Sequence, residues 1–191
     1  MGSRVVVAID TSKGQIDTID QLESVSKFMK AFAREYDFGN ARFSIIQKNG
    51  RDVTTLLKLD DGRSMGALET VLSPKSFNKI GKPSGRTQNY QTLMRIVLDS
   101  FSSSKTGVAG VANTVIVFTK DGKVKQLKNN FQQADIDLIT VIIGDGDENS
   151  KDKDNDDEDI NSVTVDDAKK LPNVYGTLES VIRERLGIVY I

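Results

Sequence analysis

The residues Asp10-Thr11-Ser12-Lys13-Gly14 follow directly on the strand-forming run Arg4–Ile9. A carboxylate and a hydroxyl two residues apart, at the end of a buried strand, place two hard oxygen ligands at the carboxyl edge of a sheet. In open α/β folds that edge is where ligands bind. Oxygen donors of this kind suit magnesium or calcium better than zinc or copper. Two later segments are expected to converge on the same edge. One is Ser84-Gly85-Arg86-Thr87, and the other is Thr119-Lys120-Asp121-Gly122, which ends the apolar run Val115–Phe118. The three together read as a metal-centred binding site rather than a catalytic one.

Catalytic chemistry finds little support. The chain has no cysteine and no histidine, which removes thiol nucleophiles, disulfides, the usual zinc sites and imidazole bases. No phosphate loop, G-x-S-x-G elbow or GxGxxG turn occurs, so Thr119-Lys120-Asp121 is not read as part of a GTPase. The expectation is that this is not an enzyme.

The elements that must carry the three segments follow from periodicity. Arg4–Ile9 has the near-continuous Val/Ile content of a strand buried on both faces. Apolar residues at Ile16, Ile19, Leu22, Val25, Met29, Phe32 and Tyr36 fall on one helical face. Ala41–Gln47 and Asp52–Leu59 read as two strands joined through Asn49-Gly50, a hairpin turn signal. Helices are expected over Gly66–Leu72, Tyr90–Phe101, Val124–Ala134, Asp166–Lys170 and Leu178–Leu186. Further strands are expected at Val115–Phe118, Leu138–Ile143 and, at an edge, Asn173–Tyr175. The alternation predicts an α/β fold: a doubly wound, mostly parallel six-stranded sheet with one antiparallel edge strand and helices on both faces.

Its 191 residues suit one domain spanning 1–191. An acidic loop is inserted at about 145–162; Asp145–Asp159 holds nine acids and two lysines, a net of −7. Because the whole chain carries −1, the remainder carries +6. The insertion departs from an EF-hand at the positions held by Asp157 and Val163 and reads as a solvated loop, with weak calcium binding as the alternative. The charge pattern does not suggest nucleic-acid binding. No apolar run is long enough to insert in a membrane.

These elements and loops resemble the von Willebrand factor type A domain, also called the integrin inserted domain. The resemblance covers essentially the whole chain outside the acidic insertion. The family's metal-ion-dependent adhesion site opens with Asp-x-Ser-x-Ser, matched by Asp10 and Ser12, with Gly14 in place of the last serine. Its second element is a threonine before a major helix, matched by Thr87. Its third is an aspartate in a Thr-Asp-Gly turn, matched by Asp121 with one extra residue, Lys120, in the aspartate's usual register.

The resemblance implies metal ligation by Asp10, Ser12, Thr87 and Asp121, with Mg2+ or Ca2+ as the ion and Mn2+ as a substitute. Lys13, Arg86 and Lys120 surround these positions and would attract an acidic group on a protein partner, collagen or another matrix protein among the candidates. The implied setting is extracellular or at the cell surface. The competing reading is a metal-free structural matrix module that binds collagen-like or anionic polymers through its basic surface. An enzyme of a doubly wound fold is a third, disfavoured by the missing motifs, and an intracellular module of an assembly or chaperone complex is a fourth. A carboxylate at a sheet edge rather than in the core also implies that Asp10→Ala costs little stability.

Overall fold

A computed structural model describes residues 2–77, 79–84, 90–104, 111–144, 162–177 and 179–180. Six strands form one sheet: β1 (Ser3–Asp10), β2 (Ala41–Asn49), β3 (Asp52–Leu57), β4 (Ala112–Thr119), β5 (Asp137–Ile143) and β6 (Ser162–Val165). Their order is β3-β2-β1-β4-β5-β6, parallel throughout except for β3. Among the described residues the four α-helices are α1 (Ile19–Arg34), α2 (Met65–Val71), α3 (Gln91–Ser103) and α4 (Lys128–Gln133). The doubly wound α/β sheet with one antiparallel edge strand is thus present.

β1 lies at the centre, and its side chains alternate between two cores. Val5, Val7 and Ile9 pack with Leu22, Val25, Met29 and Phe32 of α1. Val6 and Ala8 pack with Leu93, Val97 and Phe101 of α3 and Phe131 of α4. A strand buried on both faces must be apolar at every position, which is why Val5–Ile9 shows no polar alternation. Thr18 starts α1 by accepting a hydrogen bond from the Gln21 N–H at 3.3 Å. Ile19 is 51% exposed, so the inward face runs through Phe28 rather than Ile19.

Two strand expectations change. The sixth strand is Ser162–Val165, while Asn173–Tyr175 falls in and after a 3-10 segment, Ala168–Val174. In β6 only Val163 and Val165 turn inward, and two apolar positions after an acidic run give too short a pattern to read. The later segment is set instead by Asp167, whose carboxylate accepts from the Lys169 N–H at 2.9 Å. The helix over Val124–Ala134 divides into a 3-10 part, Gly122–Leu127, and α4. The acidic insertion and all but two residues of Leu178–Leu186 lie outside the described residues.

The hairpin between β2 and β3 turns at Gly50-Arg51, since Asn49 still pairs with Asp52. Only Gly50, at φ +68°, has positive φ in this turn, which is the type II′ pattern rather than the type I′ pattern of an Asn-Gly centre. Beyond the end of β3 the chain folds back onto β2, where the Phe43 N–H donates to Gly62 O at 3.0 Å. A Cβ on Gly62 would lie 1.8 Å from Phe43 O, so the backbones touch there with no room for a side chain. Gly62→Ala should therefore cost about 1–3 kcal/mol, the range for overpacking, read as a lower urea midpoint. An unchanged midpoint would show that this edge of β2 is not closed by the Gly62 backbone.

Candidate functional site

The central site is built by register. β1 and β2 pair in parallel so that Asp10 stands beside Lys48. Asp10 continues the Val6–Ala8 side of β1, and Lys48 continues the Ile46 side of β2. With a period of two, both side chains therefore point to the face covered by α3. Each is almost completely inaccessible, Asp10 at 1% and Lys48 at 1%.

The Lys48 ammonium lies 3.2 Å from Asp10 Oδ2 and 3.4 Å from Oδ1, and donates to Ser12 Oγ at 3.1 Å. It also sits 5.1 Å from the centre of the Tyr90 ring, within cation–π range. The Tyr90 hydroxyl is 3.1 Å from Asp10 Oδ2 and 3.1 Å from Thr119 Oγ1. Burial first, and the Asp10 charge second, push the Tyr90 phenol far above its ordinary value, so it stays a neutral donor. Thr119 Oγ1 donates in turn to Gln15 Oε1 at 2.8 Å and accepts from the Asp121 N–H at 3.0 Å.

A roof of backbone covers this cluster. The Gly50 N–H donates to Ser12 Oγ at 2.8 Å, and the Thr11 N–H to Lys48 O at 2.8 Å. The segment Lys79–Ser84 closes over both, through Gly81 N–H to Thr11 O at 2.7 Å and Lys13 N–H to Lys82 O at 3.0 Å. Asn49 ties the hairpin to this segment, accepting from the Lys82 N–H at 2.9 Å and donating to Lys79 O.

The sequence profile of the von Willebrand factor type A domain matches residues 5–177. The chain belongs to this family. Among curated proteins no match is found. Solved structures do resemble this type A domain. Proximal thread matrix protein 1 from the mussel byssus superposes with a TM-score of 0.75 at 14% identity, over 95% of this chain and 48% of that one. A form of the same mussel protein described as having a zinc-occupied MIDAS motif gives 0.73 at 14% identity, with the same coverage. BatB of Bacteroides thetaiotaomicron, a conserved hypothetical protein, gives 0.59 at 19% identity, over 95% of this chain and all of that one. The type A domain thus spans about half the length of the mussel protein.

The structure brings together only part of the set expected from sequence. Asp10 and Ser12 share one cluster. Asp121 lies beside it, its N–H donating to Thr119 Oγ1 at 3.0 Å, while its carboxylate caps the 3-10 segment by accepting from the Lys123 N–H at 2.9 Å. Thr87 and Arg86 lie outside the described residues. Lys13 is exposed, and Lys120 is half-buried with its methylenes against Gly144. Gly14 has φ +81° and donates to Asp17 Oδ2 at 2.7 Å, so its place is set by backbone conformation.

As arranged, the described donors Asp10 and Ser12 do not fit a divalent ion. Ser12 Oγ donates to Asp10 Oδ1 at 2.5 Å and accepts from Lys48 and Gly50, which uses its proton and both lone pairs. Both Asp10 oxygens face the ammonium. An ion placed among them would meet a like charge at contact distance, worth several kcal/mol even at an effective dielectric of about 20.

Sequence reasoning missed Lys48, Tyr90 and Gln15 as members of the site, and it placed Thr119 in the converging segment without a role. A signal for Lys48 existed. The strand Ala41–Gln47 extends by two residues, and continuing its alternation through Ile46 sets a cation beside the carboxylate that ends β1. The expected tolerance of Asp10→Ala is likewise at odds with this environment, because the carboxylate is buried against an ammonium. Removing one member of a buried pair typically costs about 3–5 kcal/mol, whereas replacing both with neutral groups is often close to neutral. Asp10→Asn and Lys48→Met should each lower stability by that amount in urea titrations, and Asp10→Asn/Lys48→Met should recover most of it. Additive losses in the double variant would show that the two groups are not paired.

Proposed function

We propose that this type A domain is a protein-binding module of adhesive or matrix type that works at its carboxyl edge without a divalent ion, by binding rather than catalysis. The observation that carries the reading is the closed Asp10–Ser12–Lys48 cluster at the edge where the fold presents ligands. A partner carboxylate has no bare ion to complete there. What it can meet is the surface around the cluster.

Among the described residues that surface carries more cations than carboxylates. Lys13, Arg51, Lys123 and Lys125 are exposed around the edge, and Lys120 is half-buried beside them. Lys82 is offset by Asp52 at 2.6 Å. Such a field selects an acidic group and acts mainly on encounter rate. The byssal thread matrix protein supports a matrix setting by analogy of fold, and an extracellular location goes with that analogy. Magnesium or calcium at Asp10, Ser12, Thr87 and Asp121 is the reading this proposal sets aside.

The test is surface plasmon resonance against purified matrix proteins, collagens included, in EDTA and in magnesium. Saturable binding to at least one of them is expected, equal in the two buffers and slower to form as salt rises. The double variant Lys13→Ala/Lys120→Ala should reproduce the effect of salt. Binding lost in EDTA, or indifferent to both salt and the double variant, would refute the proposal.

A further inference from the structure

We infer that the Lys48 ammonium is the resident cation of this edge: a side chain of the protein itself holds the place among Asp10, Ser12 and Tyr90 that a metal ion would need, and its presence is what keeps metal out. This rests on the metal-independent reading above and names its cause.

Three observations point past an ordinary buried ion pair. The ammonium engages both carboxylate oxygens and the Ser12 hydroxyl together, the two hard donors that lie two residues apart after β1. The ammonium thus faces oxygens at positions where a small cation would be ligated. The site is also organised beyond the pair, because the Gly50 N–H orients Ser12 Oγ and the Tyr90 hydroxyl orients Asp10 Oδ2. Finally, Lys48 reaches the site from the neighbouring strand rather than from the Asp10 loop. Its side chain could be shortened while the backbone that shapes the oxygens stays, since the Thr11 bonds are made to Lys48 O and not to its side chain. Taking the ammonium away should leave a carboxylate and a hydroxyl preorganised with room for an ion and its waters. Magnesium and manganese tolerate such partly hydrated sites.

The experiment is calorimetric titration of MnCl2 into the EDTA-treated 191-residue chain, wild type against Lys48→Ser. The wild type is expected to show no saturable binding. Lys48→Ser is expected to bind one Mn2+ roughly tenfold or more tighter than any wild-type binding, because a like charge at contact distance has gone. Asp10→Asn added to Lys48→Ser should abolish the gain and so place the ion. If wild type binds Mn2+ and loses it on Asp10→Asn, both this inference and the metal-independent reading fall. If neither protein binds, the inference alone falls, and Lys48 is a structural ion pair. Should Lys48→Ser not fold, refolding in MnCl2 against NaCl of equal ionic strength asks the same question by circular dichroism. Recovery only in MnCl2 supports the resident-cation role, and failure in both overturns it.

Discussion

Everything at the carboxyl edge depends on one buried contact, the Lys48 ammonium against the Asp10 carboxylate. Neither charge can be left alone at 1% exposure, because an unpaired ion in that environment costs several kcal/mol. The register of β1 against β2 is therefore fixed by charge as well as by packing. A slip of one residue would turn Lys48 and Asp10 to opposite faces of the sheet. It would leave each buried without its partner, while moving Val5, Val7 and Ile9 out of step with their neighbours on β2.

The same contact decides what kind of edge this is. In a parallel sheet the strand ends gather functional groups, and loops above them remain free to bind. Here the β2–β3 hairpin and the segment Lys79–Ser84 are drawn down onto Thr11, Ser12 and Lys48 by backbone hydrogen bonds. Groups that would otherwise ligate an ion become internal supports. On the proposed reading, recognition is displaced outward to exposed lysines that surround the cluster without belonging to it. Membership of a fold family fixes the location of the edge, and the side chains at that edge fix its chemistry.

The parts of the fold legible in the sequence were those with long, regular patterns. The unbroken apolar content of Val5–Ile9 identifies a central strand, and the three-and-four spacing from Leu22 to Phe32 identifies α1. The hairpin was signalled by Gly50, although the turn sits one residue later because Asn49 completes its pairing with Asp52. β6 was hidden because its signal is two valines in a four-residue strand. At the site, Asp10 and Ser12 were legible from local spacing alone. Lys48 was not, because its role depends on a pairing 38 residues away in sequence and a lysine at a strand end ordinarily points to water. Tyr90 was hidden for a related reason: its ring belongs to the core around α3, and only its hydroxyl reaches the site.

The most direct measurement is a crystal structure of the wild-type protein grown in manganese, with anomalous differences recorded at the manganese edge. Continuous density for the Lys48 side chain running to Asp10 and Ser12 is expected, with no anomalous peak between them. An anomalous peak bonded to Asp10, with Lys48 turned away from it, would show that a metal ion and not the ammonium holds this edge.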